Sequence, residues 1–266
     1  MITSNQNPKI KWVRQLQNQA RARKEETVFV VEGVRLAEEA LNAGWKAELV
    51  LHSVNLSARG QAVVSGFAER GGPVEEVMEG VLEAASDTQT PQGILVVVHQ
   101  STYPLPQNLN FALIADEIRD PGNLGAILRS AAAAGVQAVF LNPGCADPFS
   151  PKVVRSAMGA HFRLHLAALD WPAIQNQVTA ARLHVALAAA GTGMVYTACD
   201  FHRPSAIIIG GEATGAGAQA HNLAETLVHI PMAGSTESLN AAAAAAILLF
   251  EVVRQRGQPV ETSPTT

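Results

Sequence analysis

Apolar residues along this chain alternate between two rhythms. Unbroken apolar or half-apolar runs of strand length fall at 28–31, 48–51 and 93–98. Between them, helical spacing falls at 33–43, where Val34, Ala37 and Leu41 share one side, and again at 61–70. This order predicts a small three-layer α/β domain over residues 1–100. Residues 101–110, STYPLPQNLN, are rich in proline and asparagine and read as a linker. Beyond it the alternation strengthens. Runs at 111–115, 136–141, 184–188, 206–209 and 228–230 predict strands, an alanine-rich helix fills 124–134, and a long helix closes the fold at 239–256. Strands apolar along their whole length are buried on both faces, so a second domain over 111–258 should hold a parallel sheet. The tail 259–266, PVETSPTT, should be loose.

Composition adds little to this picture and charge adds one feature. Hydrophobic residues make up 48% and charged residues 16%, the balance of an ordinary globular protein rather than a disordered one. Two cysteines, Cys145 and Cys199, are too few for a disulfide framework or a four-thiolate zinc site, which suits a reducing cytoplasm. The opening MITSNQNPKIKW has no apolar signal core, and the most apolar run, 239–250, is too short to cross a bilayer and is interrupted by Asn240. No membrane partner is expected. The net charge is −4, yet Lys9, Lys11, Arg14, Arg21, Arg23 and Lys24 precede the first acid, Glu25. Such a segment suits phosphate contacts on a nucleic acid; the plainer reading is a solvated helix face.

Open parallel sheets bind ligands beyond the carboxyl ends of their strands, and three such ends stand out. In the first, 116–125 (DEIRDPGNLG), Pro121 and Gly122 turn the chain and Asn123 is suited to cap the helix that carries Arg129. In the second, 209–217 (IGGEATGAG), glycines permit close backbone approach around Glu212. The spacing does not match GxGxxG, so a dinucleotide fold is unsupported. In the third, 230–240 (IPMAGSTESLN), Glu237 and Ser238 suit a helix start, and the amide of Asn240, at the head of an apolar helix, needs partners. His161 and His165 alternate with Phe162, Leu164 and Leu166 as on a strand, with no third ligand in view, so no metal site is expected.

Together these segments resemble the SpoU family of RNA ribose methyltransferases in the SPOUT superfamily. The match runs through DPGNLGAILRSA, IGGEATG and the closing IPM, SLN and AAAILLFE stretch, in the family's order. Residues 146–164, ADPFSPKVVRSAMGAHFRL, are similar to the family too, and ITSNQNPKIKWVRQL with FVVEGVRLAEEAL is similar to the ribosomal-protein-like RNA-binding domain joined to many members. Two departures are to small residues: Gly211, where members often carry a polar residue, and Ala241 with Ala242, where many carry a β-branched residue and a serine. They bear on cofactor fit.

The resemblance implies a parallel-sheet catalytic domain whose C-terminal segment makes a deep trefoil knot, preceded by a small α/β RNA substrate-binding domain, in a homodimer. It implies S-adenosylmethionine as cofactor, held by Ile209, Gly210, Gly211, Gly215, Ile230, Met232, Leu239 and Asn240. It also implies catalysis by Arg129 with Asn123, Glu212, Ser238 and Asn240, while the charge pattern makes the basic segment 9–24 the expected RNA contact. Guanidinium almost never deprotonates, so Arg129 reads as a phosphate clamp that stabilises charge developing on the ribose 2′-oxygen rather than as the base. The proton acceptor stays open. Ribosomal RNA is the first expectation for the substrate, because of the added N-terminal domain, and transfer RNA the second. The competing functions are a non-catalytic RNA-binding protein on the same fold, which would not bind S-adenosylmethionine, and a nicotinamide-dependent oxidoreductase.

Overall fold

The computed structural model describes residues 1–101, 104–212 and 215–257. Thr102 and Tyr103 of the linker and the whole tail 259–266 lie outside the described residues. The chain forms two compact units, one of residues 1–102 with 147–163 and one of 103–146 with 164–266.

The first unit opens with α1 (Pro8–Asn18) and α2 (Ala20–Glu26). Asn7 caps α1 by accepting from the Lys9 N–H, and Pro8 occupies the first turn, where its missing N–H is no loss. There follow β1 (Val28–Glu32), α3 (Val34–Asn42), β2 (Ala47–His52), α4 (Ala58–Glu69), β3 (Val74–Glu76), α5 (Glu79–Ala85) and β4 (Ile94–His99). The sheet order is β1-β4-β2-β3; β4 runs antiparallel to both neighbours and β2 parallel to β3. Period-two alternation sends Phe29, Val31, Val96 and Val98 to one face, under α3 and α4, and Val28, Val30, Leu95 and Val97 to the other, under α1 and α5. The three-layer expectation is met. The apolar runs are unbroken because both faces are covered.

The second unit contains β5 (Phe111–Asp116), α6 (Pro121–Ala133) and β6 (Ala138–Leu141). The chain then returns to the first unit for 147–163, including α7 (Pro151–Ala157), a segment that the sequence pattern assigns to the 111–258 domain. Its apolar side chains explain the return. Val154 and Phe162 are buried in the core beneath α3, and the Phe149 ring stands 5.0 Å from Phe29. Arg23 seals it: the guanidinium, only 5% exposed, pairs with Asp147 at 2.6 Å and donates to the carbonyls of Leu16 and Gln17. Arg23 is therefore engaged in the fold, which sets it apart from the exposed cations of the basic-face reading. Lys9 is also engaged, with Glu75, and Arg21 pairs with Glu25, leaving Lys11, Arg14 and Lys24 exposed without an ion pair among the described residues.

The second unit resumes with β7 (His165–Ala168), α8 (Trp171–Ala180), β8 (His184–Ala188), β9 (Met194–Val195), β10 (Ser205–Gly210), α9 (Ala218–Leu223), β11 (Thr226–His229) and α10 (Ala241–Arg256). Its sheet order is β7-β6-β5-β10-β8-β11-β9, parallel throughout. The strand ends expected to carry chemistry, those of β5, β10 and β11, therefore open at one edge of one sheet.

The strand expected through His161 and His165 forms only from His165. Residues 160–162 make a 3₁₀ turn, and His161, 1% exposed, donates through Nε2 to the Pro148 carbonyl. Burial pushes its pKa from 6.5 down to about 4. Between those values the unfolded chain binds the extra proton and the folded chain does not. This contribution to stability is thus complete above pH 6.5 and is lost as pH falls toward 4. We expect the melting temperature to fall between pH 7 and pH 4.5, and to fall less in His161→Gln, which keeps an N–H donor but does not titrate. Equal falls in the two proteins would refute this role.

Candidate functional site

The site begins at the end of β5. Asp116 is 2% exposed, and its carboxylate accepts from the Asn142 side-chain amide and, at 2.7 Å, from the Gly217 N–H. Asn142 lies just past β6, and its Oδ1 accepts from the Glu117 N–H at 2.9 Å. One buried carboxylate thus ties the end of β5 to the loop after β10, with Asn142 joining β6. Glu117 beside it has φ 53, a left-handed conformation. Cys145 closes the far side by donating to the Ala115 carbonyl, and burial pushes its thiol up to about 11.

The loop after β10 folds back on this hub. Ala213 and Thr214 lie outside the described residues; Gly211 and Gly215 face each other across them, with the Gly215 N–H on the Gly211 carbonyl at 3.0 Å. A Cβ at Gly211 would stand 2.7 Å from the Glu117 carbonyl oxygen. Glycine at 211 therefore fits a backbone crowded by the β5 end, and Gly211 also lines the cavity described below.

Two helix starts complete the arrangement, and both differ from expectation. Asp120, not Asn123, caps α6: its Oδ1 accepts from the Asn123 N–H at 2.8 Å, with Pro121 next in line. That frees the Asn123 amide to donate to Glu212 Oε1. Asn240, not Ser238 or Glu237, caps α10, its Oδ1 accepting from the Ala242 and Ala243 N–H groups. The other end of its amide donates to Glu212 Oε1 at 2.7 Å and to Asn123 Oδ1 at 3.0 Å. The three motif segments thus meet in a closed triangle of Asn123, Glu212 and Asn240. Arg129 and Ser238 are not in it. From Asn123 to Arg129 is about one and two-thirds helical turns, so the two leave α6 on different faces. Arg129 is exposed, with no hydrogen bond or ion pair among the described residues. Ser238 faces a cavity instead.

That cavity, about 610 Å³, opens beyond β10, β8 and β11. Seven of the eight expected cofactor residues line it, namely Ile209, Gly210, Gly211, Gly215, Ile230, Met232 and Leu239; Asn240 sits beside the wall with its amide in the triangle. The floor is apolar, with Val228 and Leu248 added to Ile209. At Gly191 and Gly215, both with φ +67, an added Cβ would meet no protein atom within 4 Å, so backbone edges stand open to a ligand. Apolar walls with accessible peptide groups fit the adenosyl portion of S-adenosylmethionine. The stretch 188–191 and His229 also line the cavity and were not anticipated. Their signals were a glycine closing the alanine run after β8, and a lone histidine ending an apolar strand directly before IPM.

Residues 110–250 match the SpoU rRNA Methylase family and residues 7–96 the MRM3-like substrate binding domain. The 23S rRNA (guanosine(2553)-2′-O)-methyltransferase RlmP of Bacillus subtilis is 32% identical over 251 residues, spanning 94% of this chain and 98% of its own. An AdoMet-bound rRNA methyltransferase from Sinorhizobium meliloti superposes with TM-score 0.86 at 33% identity, covering 95% of this chain and 97% of that one. The SpoU methyltransferase AviRb from Streptomyces viridochromogenes, in complex with AdoMet, does so with TM-score 0.85 at 28% identity, covering 94% and 99%.

The hub should matter more for stability than any residue at the rim. Asp116→Ala would leave the Asn142 amide buried without its acceptor, a loss of about 1–3 kcal/mol, and would cut the Gly217 N–H tie to the β5 end. We expect a melting temperature lower by several degrees and weakened ligand binding. Unchanged unfolding in denaturant would show that these groups find other partners.

Proposed function

The chain belongs to the SpoU rRNA methylase family, and on that footing we propose that it transfers a methyl group from S-adenosylmethionine to a ribose 2′-hydroxyl of structured RNA, ribosomal RNA in the first place. The observation that carries this is the convergence of the three motif segments on the Asn123–Glu212–Asn240 triangle beside a cavity suited to the cofactor. Bound there, S-adenosylmethionine supplies a methyl already activated on a sulfonium centre.

The chain's own residues then have separable duties. Ile209, Ile230, Met232 and Leu239 exclude water, and the backbone at 210–211 and 215 meets the ligand's polar edges. Asn123 and Asn240 hold the Glu212 carboxylate at the mouth, and Ser238 offers a hydroxyl in the cavity wall. Arg129, with no hydrogen bond or ion pair among the described residues, clamps an RNA phosphate and stabilises negative charge growing on the 2′-oxygen; its planar fork suits phosphate, and a guanidinium offers donors and no acceptor, so it is not the base.

A homodimer and a deep trefoil knot in the C-terminal segment belong to the same proposal. The dimer is supported by family membership and by Phe250 on α10, a large apolar side chain 47% exposed. The knot is supported by family membership and by the place of β10 between β5 and β8. The free thiols Cys145 and Cys199 suit a reducing cytoplasm. No helix among the described residues is long and apolar enough to cross a membrane.

Ribosomal RNA from cells lacking the protein should be missing one 2′-O-methyl group by mass-spectrometric mapping. Wild type should restore it and Arg129→Ala should not, with transfer in vitro lower by about 10²-fold or more while S-adenosylhomocysteine binding is unchanged. Arg129→Lys should do little better. A missing methyl in transfer RNA instead would move the substrate, and near-normal turnover by folded Arg129→Ala would remove Arg129 from the chemistry.

RNA contacts are proposed for Lys11, Arg14 and Lys24, with Arg21 at their edge. Deleting residues 1–100 is a poor test, because it would strip the core from Phe149, Val154 and Phe162. Replacing Lys11, Arg14 and Lys24 together by alanine is better. RNA affinity should drop and its salt dependence flatten, by roughly 0.7–0.9 in slope for each phosphate that is no longer neutralised. Equal slopes would make this a solvated face.

A further inference from the structure

The cavity wall contains one polar side chain that the motifs do not account for. His229 is the last residue of β11, in register with Val195 of β9. Its ring lines the cavity, and its Nδ1 is buried with no hydrogen-bond partner. Nor does either ring nitrogen bond another described residue. Native proteins rarely leave a buried nitrogen unpaired unless a ligand, a water or catalysis uses it. Thr236, Glu237 and Ser238 belong to an exposed loop, whereas His229 is set by a sheet and held by its backbone ladder, as a group that positions a ligand should be.

We infer that the His229 imidazole hydrogen-bonds the nucleoside half of the bound cofactor, an inference that rests on the function proposed above. Two observations point to that half rather than to the amino-acid tail. The cavity has no lysine or arginine among its described lining residues to receive a carboxylate, and the residues flanking His229, Val228 and Ile230, are apolar. A flat heteroaromatic base with a polar edge suits such a wall. In addition, the Asn123–Glu212–Asn240 triangle marks the reacting end, whereas β11 lies two strands beyond β10 in the order β10-β8-β11, about 10 Å away at the usual spacing.

The test is calorimetric titration of the full-length protein with S-adenosylhomocysteine and with 5′-methylthioadenosine, which shares the nucleoside and lacks the amino-acid tail. His229→Phe should weaken both ligands by a similar factor, about tenfold. His229→Asn, which restores a donor and acceptor near Nδ1, should recover most of the loss. The melting temperature of unliganded His229→Phe should not fall below that of wild type, since the variant removes an unpaired buried nitrogen. Wild-type affinity in His229→Phe would overturn the inference alone. Loss confined to S-adenosylhomocysteine would overturn the assignment to the nucleoside. Failure of the wild-type protein to bind either ligand would overturn this inference and the proposed function together.

Discussion

A carboxylate removed from water is tolerated only when its oxygens are fully engaged, and Asp116 meets that condition by binding groups from two other segments. This constraint organises the whole active edge. The Gly217 N–H fixes where the loop after β10 must end, Asn142 fixes where β6 must end, and Glu117 turns left-handed between them. Once those ends are set, Gly211 has no room for a side chain and Glu212 projects toward α6 and α10. The triangle at the surface is thus the visible part of a network whose anchor is buried.

Much of this was legible in the sequence. The strands of both sheets announced themselves as apolar runs, because two covered faces leave no polar alternation. The motif segments gave the triangle, and apolar residues beside glycines gave the cavity. What failed was local. Asn123 and Ser238 both looked like caps, and in each case another residue, Asp120 or Asn240, does that work. Residue type alone does not separate competing capping groups a few positions apart, since the choice depends on what else each amide can reach. Asn142 and His229 carried no motif at all, and their roles come from strand ends brought together by the fold.

The basic segment shows the same limit from another side. Six cations in sequence look alike, but Arg23 lies on the face of α2 that covers the core and its guanidinium closes the seam at Asp147. Residues 147–163 were likewise unreadable as part of the first unit, because the rings of Phe149 and Phe162 meet Phe29 across more than 100 residues of chain. Periodicity reports which side of an element is apolar and is silent on which element will cover it.

Asn240 serves two masters at once, since one end of its amide starts α10 and the other joins the triangle. A descendant of this chain that abandoned its chemistry would still need that asparagine to begin its last helix. Persistence of Asn240 in a divergent copy is therefore a sign of folding and not of activity. Arg129, exposed and bonded to nothing among the described residues, has no such second employment, and drift should erase it first. On the role proposed for Arg129, its loss, rather than that of Asn240, would mark a copy that had given up the chemistry.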